Sequence, residues 1–511
     1  MRAMSARSAA GTLDPHGAGP LAAIDLGSNS FRLEVGEVQQ GRYRRIDDLK
    51  ETVRLGGGLD ADGQLTDEAI RRGLACLARF AERLQRFPPS RVRAVATQTL
   101  REARNRDAFL ARARDVLGHP IEVISGREEA RLIYAGVARL QPSDKPRLVV
   151  DIGGRSTELI LGQGRAALRA ESFQVGSVSL SMKYFPDGRF TEDAFRAAQV
   201  AAGAELEEAL DLFSAAHWVE ALGSSGTVGA VSQALAAHGV TDGHVTPQGL
   251  RWLIETCLRA GRADRLAWPG LKEERRPVIG GGIAILYTLA THFGIEALAP
   301  ARGALRQGVI LDLDERLRAE ADAGEAHDIR DESVRELQQR FGVDLAQAQR
   351  VRTVAGALHD RVRPGAAHEL RRELQWACAL HEVGMMVSHH DHHRHSAYVV
   401  AHVDAPGFSQ SQLRRLAALV LAQRGGLRKV DAALAQEAVA WQALCLRLAV
   451  VVCHARAGVD HHALALRRRA STALLAVPGD WARAHPRTMH LLGEESAAWA
   501  RGGPLRLEVH P

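Results

Sequence analysis

Along the N-terminal part of the chain, short apolar blocks alternate with amphipathic stretches. Val92–Ala96 and Ile121–Ile124 read as short buried strands, the first running into Thr97-Gln-Thr-Leu-Arg101. Asp107–Leu117 has helical spacing. Thr66, followed by Asp67 and Glu68, has the form of an N-cap and acidic first turn for a helix through Leu84. Gly56-Gly57-Gly58 reads as a hairpin turn, and Ser125-Gly-Arg-Glu-Glu129 as a helix start. Further on come a helix opening at Thr191, the strand Val219–Leu222, and Gly223-Ser-Ser-Gly-Thr227 leading into another helix. Strands alternating with helices predict a largely parallel α/β sheet whose ligands sit at strand C-terminal ends, where these glycine and hydroxyl residues lie.

One pattern occurs twice. Ala22–Gly36 (AAIDLGSNSFRLEVG) and Val149–Gly162 (VVDIGGRSTELILG) each give an apolar strand, then Asp, an aliphatic residue, Gly, two residues, Ser, and a second strand closing at Gly. From Asp to the last Gly is eleven positions in both. A duplicated strand–turn–strand unit at this separation predicts two similar domains. Glycine lets backbone N–H groups approach an anion, and Ser28, Ser30, Ser156 and Thr157 add donors. Asp25 and Asp151 close the strands, where a carboxylate can orient water or a divalent cation. Taken alone, either loop also fits an ordinary glycine hairpin; the matched pair favours a phosphate grip from two sides.

At 511 residues the chain calls for several domains. Its five cysteines form no CxxC pair, which argues against zinc ribbons and disulfide scaffolds and for a reducing, cytoplasmic setting. The first twenty residues lack an apolar run and read as a loose tail, and no stretch reaches the length of a membrane span, leaving at most a peripheral membrane association. The net charge of +6 lies wholly in Asp331–Pro511, with 23 Lys and Arg against 17 Asp and Glu; 15 of the 22 histidines are there too. That distribution suits either a surface for a polyanion or a plain arginine-rich solvated face. With 5% aromatic residues there is no stacking platform, so nucleic acid is not the expected partner.

With both loops, Ser125–Ile133 (SGREEARLI) and Gly223–Thr227 (GSSGT), the sequence resembles the exopolyphosphatase and guanosine pentaphosphate phosphohydrolase (Ppx/GppA) family, of the actin, sugar-kinase and heat-shock-chaperone ATPase fold. Leu271–Arg275 (LKEER), Gly280–Leu286 (GGGIAIL) and Gly303–Gly308 (GALRQG) extend the likeness. Phe80–Gln85, Val245–Pro247, His381–Gly384 through Tyr398, and Asp404–Phe408 look most like proteobacterial exopolyphosphatases. The resemblance implies two actin-like (ribonuclease H-like) domains, 21–138 and 139–314, with a cleft between them. A helical HD-like domain, 315–460, and a small mixed α/β domain, 461–511, would follow, after a disordered tail, 1–20. It also implies release of orthophosphate from the ends of inorganic polyphosphate, processively, by a homodimer. Hydrolysis of pppGpp is the alternative, with a kinase or chaperone-like ATPase and a non-catalytic polyphosphate binder as further readings.

On the same resemblance, Glu129 is the carboxylate that activates water, and Glu128 a helix-surface charge. Asp151 and Glu158, seven apart, are acids that hold Mg²⁺ or Mn²⁺ and position water, with Asp25 completing the set. Gly27, Ser28, Asn29, Ser30, Gly153, Gly154, Ser156, Thr157, Gly223, Ser224, Ser225, Gly226 and Thr227 bind substrate, and Arg101 clamps the terminal phosphate. Arg155 stands where the family's second loop has a third glycine, either as a further phosphate contact or as a stiffer turn. Arg302 replaces a frequent Asp, and His381-Glu382 replaces the His-Asp pair of HD hydrolases. The cluster His389–His395 admits a metal, a polyanion or a solvated reading.

Overall fold

The computed structural model describes residues 19–321 and 328–510, which form two compact units, one on each side of the intervening segment. Most of the expected tail, 1–18, lies outside the described residues.

In the first unit, one five-stranded plan appears twice. The elements of the first lobe are β1 (Leu21–Leu26), β2 (Ser30–Gln39), β3 (Arg42–Thr52), α1 (Asp67–Leu84), β4 (Val92–Ala96), α2 (Gln98–Glu102), α3 (Arg106–Leu117), β5 (Ile121–Val123) and α4 (Gly126–Leu140). The second lobe has β6 (Arg147–Ile152), β7 (Thr157–Gln163), β8 (Ala166–Phe173), α5 (Ser177–Tyr184), α6 (Glu192–Leu206), β9 (Glu220–Gly223), α7 (Gly226–Ala237), α8 (Pro247–Ala260), α9 (Arg276–His292), β10 (Leu298–Pro300) and α10 (Leu305–Ala321). The strand orders are β3-β2-β1-β4-β5 and β10-β9-β6-β7-β8, related by the repeat. Thr66 caps its helix as expected, and Ser125, Thr191 and Ser225, at the other expected helix starts, likewise accept a backbone N–H.

Each sheet is half antiparallel, not largely parallel: β1, β2 and β3 form a meander, as do β6, β7 and β8, and only β4 and β5, or β9 and β10, join in parallel. The repeated turn causes this, because it joins adjacent strands directly and leaves no room for a crossover helix. Gly56–Gly58 also departs from its reading. It is one short 3₁₀ turn after β3, while the hairpin reverses at Gln40 and Gly41, both with positive φ.

A core shared by both lobes lies beneath the strand ends. Leu21, Ala23 and Val95 from one sheet and Val149, Ile160 and Leu222 from the other pack on Leu132, Ile133, Val309 and Ile310 of α4 and α10. The two helices cross tightly. A Cβ on Gly308 would lie 1.8 Å from the Leu132 carbonyl oxygen, so only glycine allows that approach. Beside the crossing, the Asp312 carboxylate accepts from Arg93 (2.6 Å), Arg131 (2.5 Å) and Arg316 (2.6 Å). Glu128 belongs to this buried network and is not a surface charge: it is 2% exposed and receives two bonds from Arg131, at 2.7 and 2.8 Å.

The second unit is helical, with helices including Ile329–Arg340, Leu345–Val362, His368–Leu380, His392–His402, Gln410–Ala422 and Glu437–Val452 around one apolar core. A three-stranded sheet, Ala465–Arg469, Thr472–Ala476 and Arg506–His510, packs into the same core with the helix Pro486–Gly502. No described helix is long and apolar enough to cross a membrane.

Candidate active site

The two repeated turns meet face to face. A Cβ on Gly154 would sit 2.9 Å from Ser28 Cβ and 3.5 Å from the Asn29 nitrogen. Bonds from Gly56 N to Ser28 O and from Val53 and Arg54 N to Asn29 O fix the first turn. In the second, Gly153 N donates to Ser156 O, while Ser177 Oγ donates to Gly153 O. Between the turns lies a cavity of about 140 Å³, bounded by Asp25, Gly27, Ser28, Asn29 and Ser30 on one side and by Asp151, Gly153, Gly154 and Ser156 on the other. The starts of α7 (Ser225, Gly226, Thr227) and α10 (Ala304, Leu305) also open on it, so two helix N-termini aim at the same small space, a setting that favours an anion.

Residue pairs across the strands set the chemistry of each wall. Asp25 is the β-partner of Arg32, and Asp151 that of Glu158, so each pair projects from one face of its sheet. Glu129, in the first turn of α4, completes the acids on the cavity wall with Asp25 and Asp151. Arg32, Arg275 and Arg306 line the same cavity. Arg306 is held by Glu34 at 3.1 Å. Among the described residues neither Arg32 nor Arg275 has a carboxylate within ion-pair distance, which leaves two half-buried guanidinium groups without a salt bridge beside the turns.

A family model described as the Ppx/GppA phosphatase family matches residues 35–317, and one for domain III of those phosphatases matches residues 329–496. The chain belongs to the Ppx/GppA phosphatase family. The crystal structure of an exopolyphosphatase from Cytophaga hutchinsonii is 25% identical with a TM-score of 0.53, over 58% of this chain and 98% of that one. That of an exopolyphosphatase-like protein is 26% identical with a TM-score of 0.52, over 58% of this chain and 100% of the other. The Ppx/GppA match carries the two-lobed actin-like fold and makes the protein a phosphatase.

In this Ppx/GppA phosphatase the sequence-predicted residues divide. Those named above as lining the cavity are joined there by Ser224. Thr157 is buried and donates to the Val175 carbonyl at 2.6 Å, a structural bond at the start of β7. Gly223 lies under Val228 and Leu298, and Glu158 is wholly buried behind Asp151. Arg101 does not reach into the cavity as a free clamp: it donates to Glu129 at 2.8 Å, because α2 turns its side chain toward the start of α4. Arg155 makes no contact with the phosphate cavity either, and binds Glu102 at 2.6 Å. Arg32, Arg275 and Arg306, with Thr97 and Ser177, line the cavity without having been assigned a part. For Arg32 the signal was available, since it holds the position in the first repeat that Glu158 holds in the second.

Burial and crowding push the acids upward. The Asp151 carboxyl rises to about 7, first through desolvation and then through Glu129 and Asp25, with Ser224 opposing. Glu129 rises through desolvation, held back by Arg101. Asp25 and Glu158 rise for the same leading reason. Arg32 falls to about 10 through burial and then the Arg306 charge.

These groups suit a hard divalent cation. All are oxygen donors, and Glu158 Oε2 is buried with no hydrogen-bond partner among the described residues, while Ser172 donates to its other oxygen at 2.8 Å. No three His, Cys, Asp or Glu side chains among the described residues converge into a full cage. That matches a cation with one or two carboxylates whose remaining ligands are water and substrate oxygens.

A pH dependence follows. The folded protein retains a proton on Asp151 up to about pH 7, whereas the unfolded chain releases it near 3.8. The stability this proton carries is therefore complete below the lower value and disappears as pH climbs through the upper one. With EDTA, thermal melts should show a melting temperature that declines across this window. Excess Mg²⁺ should flatten the decline, and Asp151→Asn should reduce the slope without any cation.

Proposed function

We propose that this phosphatase hydrolyses terminal phosphoanhydride bonds of inorganic polyphosphate, releasing orthophosphate. The observation that carries this is the cavity between the abutting turns: about 140 Å³, open to two helix N-termini, lined by two half-buried arginines that have no salt bridge and by no aromatic residue. It suits one phosphoryl group and offers nothing for a base to stack on.

The terminal phosphoryl group takes N–H and hydroxyl donors from Gly27–Ser30 and Gly153–Ser156, with Arg32 and Arg275 on its oxygens. Water attacks phosphorus in line with the bridging oxygen, Glu129 takes the water's proton, and the P–O bond to the chain breaks as its electrons pass to the departing oligophosphate. Burial raises the Glu129 carboxyl above its ordinary range, and the Arg101 charge and hydrogen bond oppose that rise. A Mg²⁺ or Mn²⁺ held by one or two of Asp25, Asp151 and Glu158, with water and substrate oxygens completing its shell, would neutralise charge on the phosphoryl oxygens.

The reading extends to a cytoplasmic homodimer, processive on long chains through the basic helical unit. Its test is kcat/KM on long polyphosphate against pppGpp. We expect polyphosphate to be favoured at least tenfold, a difference of about 1.4 kcal/mol in transition-state binding. A preference of that size for pppGpp would transfer the assignment to guanosine pentaphosphate hydrolysis, and release from neither would refute both.

A further inference from the structure

We infer that Arg155, Glu102 and Gln98 form a positioning relay through which the second lobe's phosphate loop aims the Arg101–Glu129 pair of the first. The inference rests on the proposed role of Glu129 and adds residues that nothing about the cavity lining identifies.

The relay is continuous. Arg155 Nη2 lies 2.6 Å from Glu102 Oε2, and its Nε donates to the same oxygen at 2.9 Å. Glu102 Oε1 accepts from Gln98 Nε2 at 2.7 Å. Gln98 Oε1 accepts from Arg101 Nε at 2.8 Å, and Arg101 Nη1 donates to Glu129 Oε2 at 2.8 Å and to the Ile124 carbonyl at 3.0 Å. Gln98, Arg101 and Glu102 share one face of α2 through i,i+3 and i,i+4 spacing, so the short helix serves as the frame. The Gln98 amide fits only one way round: its oxygen must face Arg101 and its nitrogen Glu102. Each link thus fixes the next, and charged ends strengthen it.

Two further observations tie the relay to cleft geometry. Arg155 Nη1 also donates to the Gly56 carbonyl at 3.1 Å, across the lobe boundary. Gly56 has room for this because it lacks a Cβ: an added one would lie 2.8 Å from Arg155 Cδ and 3.0 Å from Thr99 Oγ1. In the loop itself, Gly154 and Ser156 on either side of Arg155 line the cavity while its own side chain points to the first lobe. A shift of this loop on binding a phosphoryl group therefore reaches Arg101 through side chains that do not touch the substrate.

Arg155 and Glu102 keep 20% and 25% of their side chains exposed, so water still reaches the pair, and a neutral Gln in either place keeps most of the packing. A positioning role and a structural one are therefore separable. Full-length Arg155→Gln, Glu102→Gln, the double variant and Arg155→Lys should be assayed on tripolyphosphate with Mg²⁺, beside Glu129→Gln, with melting curves for each. Each Gln variant should lose about tenfold in kcat, with KM within about twofold and an unchanged melting temperature. The double variant should be no slower than either single one, since one relay is broken once, and Arg155→Lys should keep most of the turnover. Unchanged kcat in both single variants, additive losses, or losses that follow the melting temperature would each overturn the relay. Full turnover in Glu129→Gln would instead remove Glu129 as the base on which the relay rests, and release of phosphate by neither parent nor variant would sink the proposed function.

Discussion

Replacing Glu129 by Gln should slow orthophosphate release from long polyphosphate at least a hundredfold while polyphosphate binding is retained. The side chain sits in the first turn of α4, on the wall of the cavity between the turns, with one oxygen held by Arg101. The amide keeps the size and a hydrogen-bonding oxygen but cannot take a proton from water. The expected cost is on the order of 3 kcal/mol in the barrier, read as kcat in a phosphate-release assay with Mg²⁺. Binding by the turns and by Arg32 and Arg275 does not pass through Glu129, so KM should stay within about twofold. A variant as fast as the parent would remove Glu129 as the base.

The largest effect on stability is expected at Asp312. This carboxylate is 4% exposed and takes bonds from Arg93 on β4, Arg131 on α4 and Arg316 on α10, and its acidity is held well below the usual carboxylate range by those arginines despite burial. Asp312→Ala leaves Arg93 and Arg131 buried with Glu128 and Glu122 alone to balance them. Removing one member of a buried charged network costs about 3–5 kcal/mol. Native-state amide exchange along β4 and α10 should accelerate by about 10²–10³-fold, with helices of the second unit unaffected. Exchange within threefold of the parent would show that the arginines find water or other partners.

Local rules made much of this legible. The duplicated turn revealed two lobes because spacing, hydroxyls and closing glycines all lie within one short segment, and the helix caps were readable because N-capping is a contact over three residues. What stayed hidden depends on partners far away in sequence. Glu128 looked like a solvated first-turn acid, since nothing near it announces Arg93 or Asp312. Arg101 and Arg155 looked like phosphate ligands, which any arginine beside a glycine loop resembles until Glu129 and Glu102 are seen to claim them. Arg275 and Arg306 lay inside recognisable motifs, yet only folding carries them to strand ends formed by much earlier residues. The Gly56–Gly58 turn was misread for the opposite reason: its composition is that of a hairpin, but Gly56 leaves space for the stem of Arg155 and Gly58 for Ala69 of α1.

The pairing of Asp25 with Arg32 on one wall and Asp151 with Glu158 on the other gives the cleft a direction. Matching halves with Glu at both seventh positions would crowd four acids together; the divergence instead sets one guanidinium, Arg32, beside Asp25. On the proposed reading, a chain end entering the cleft turns its charged oxygens toward Arg32, which leaves the flank beside Glu129 to the attacking water.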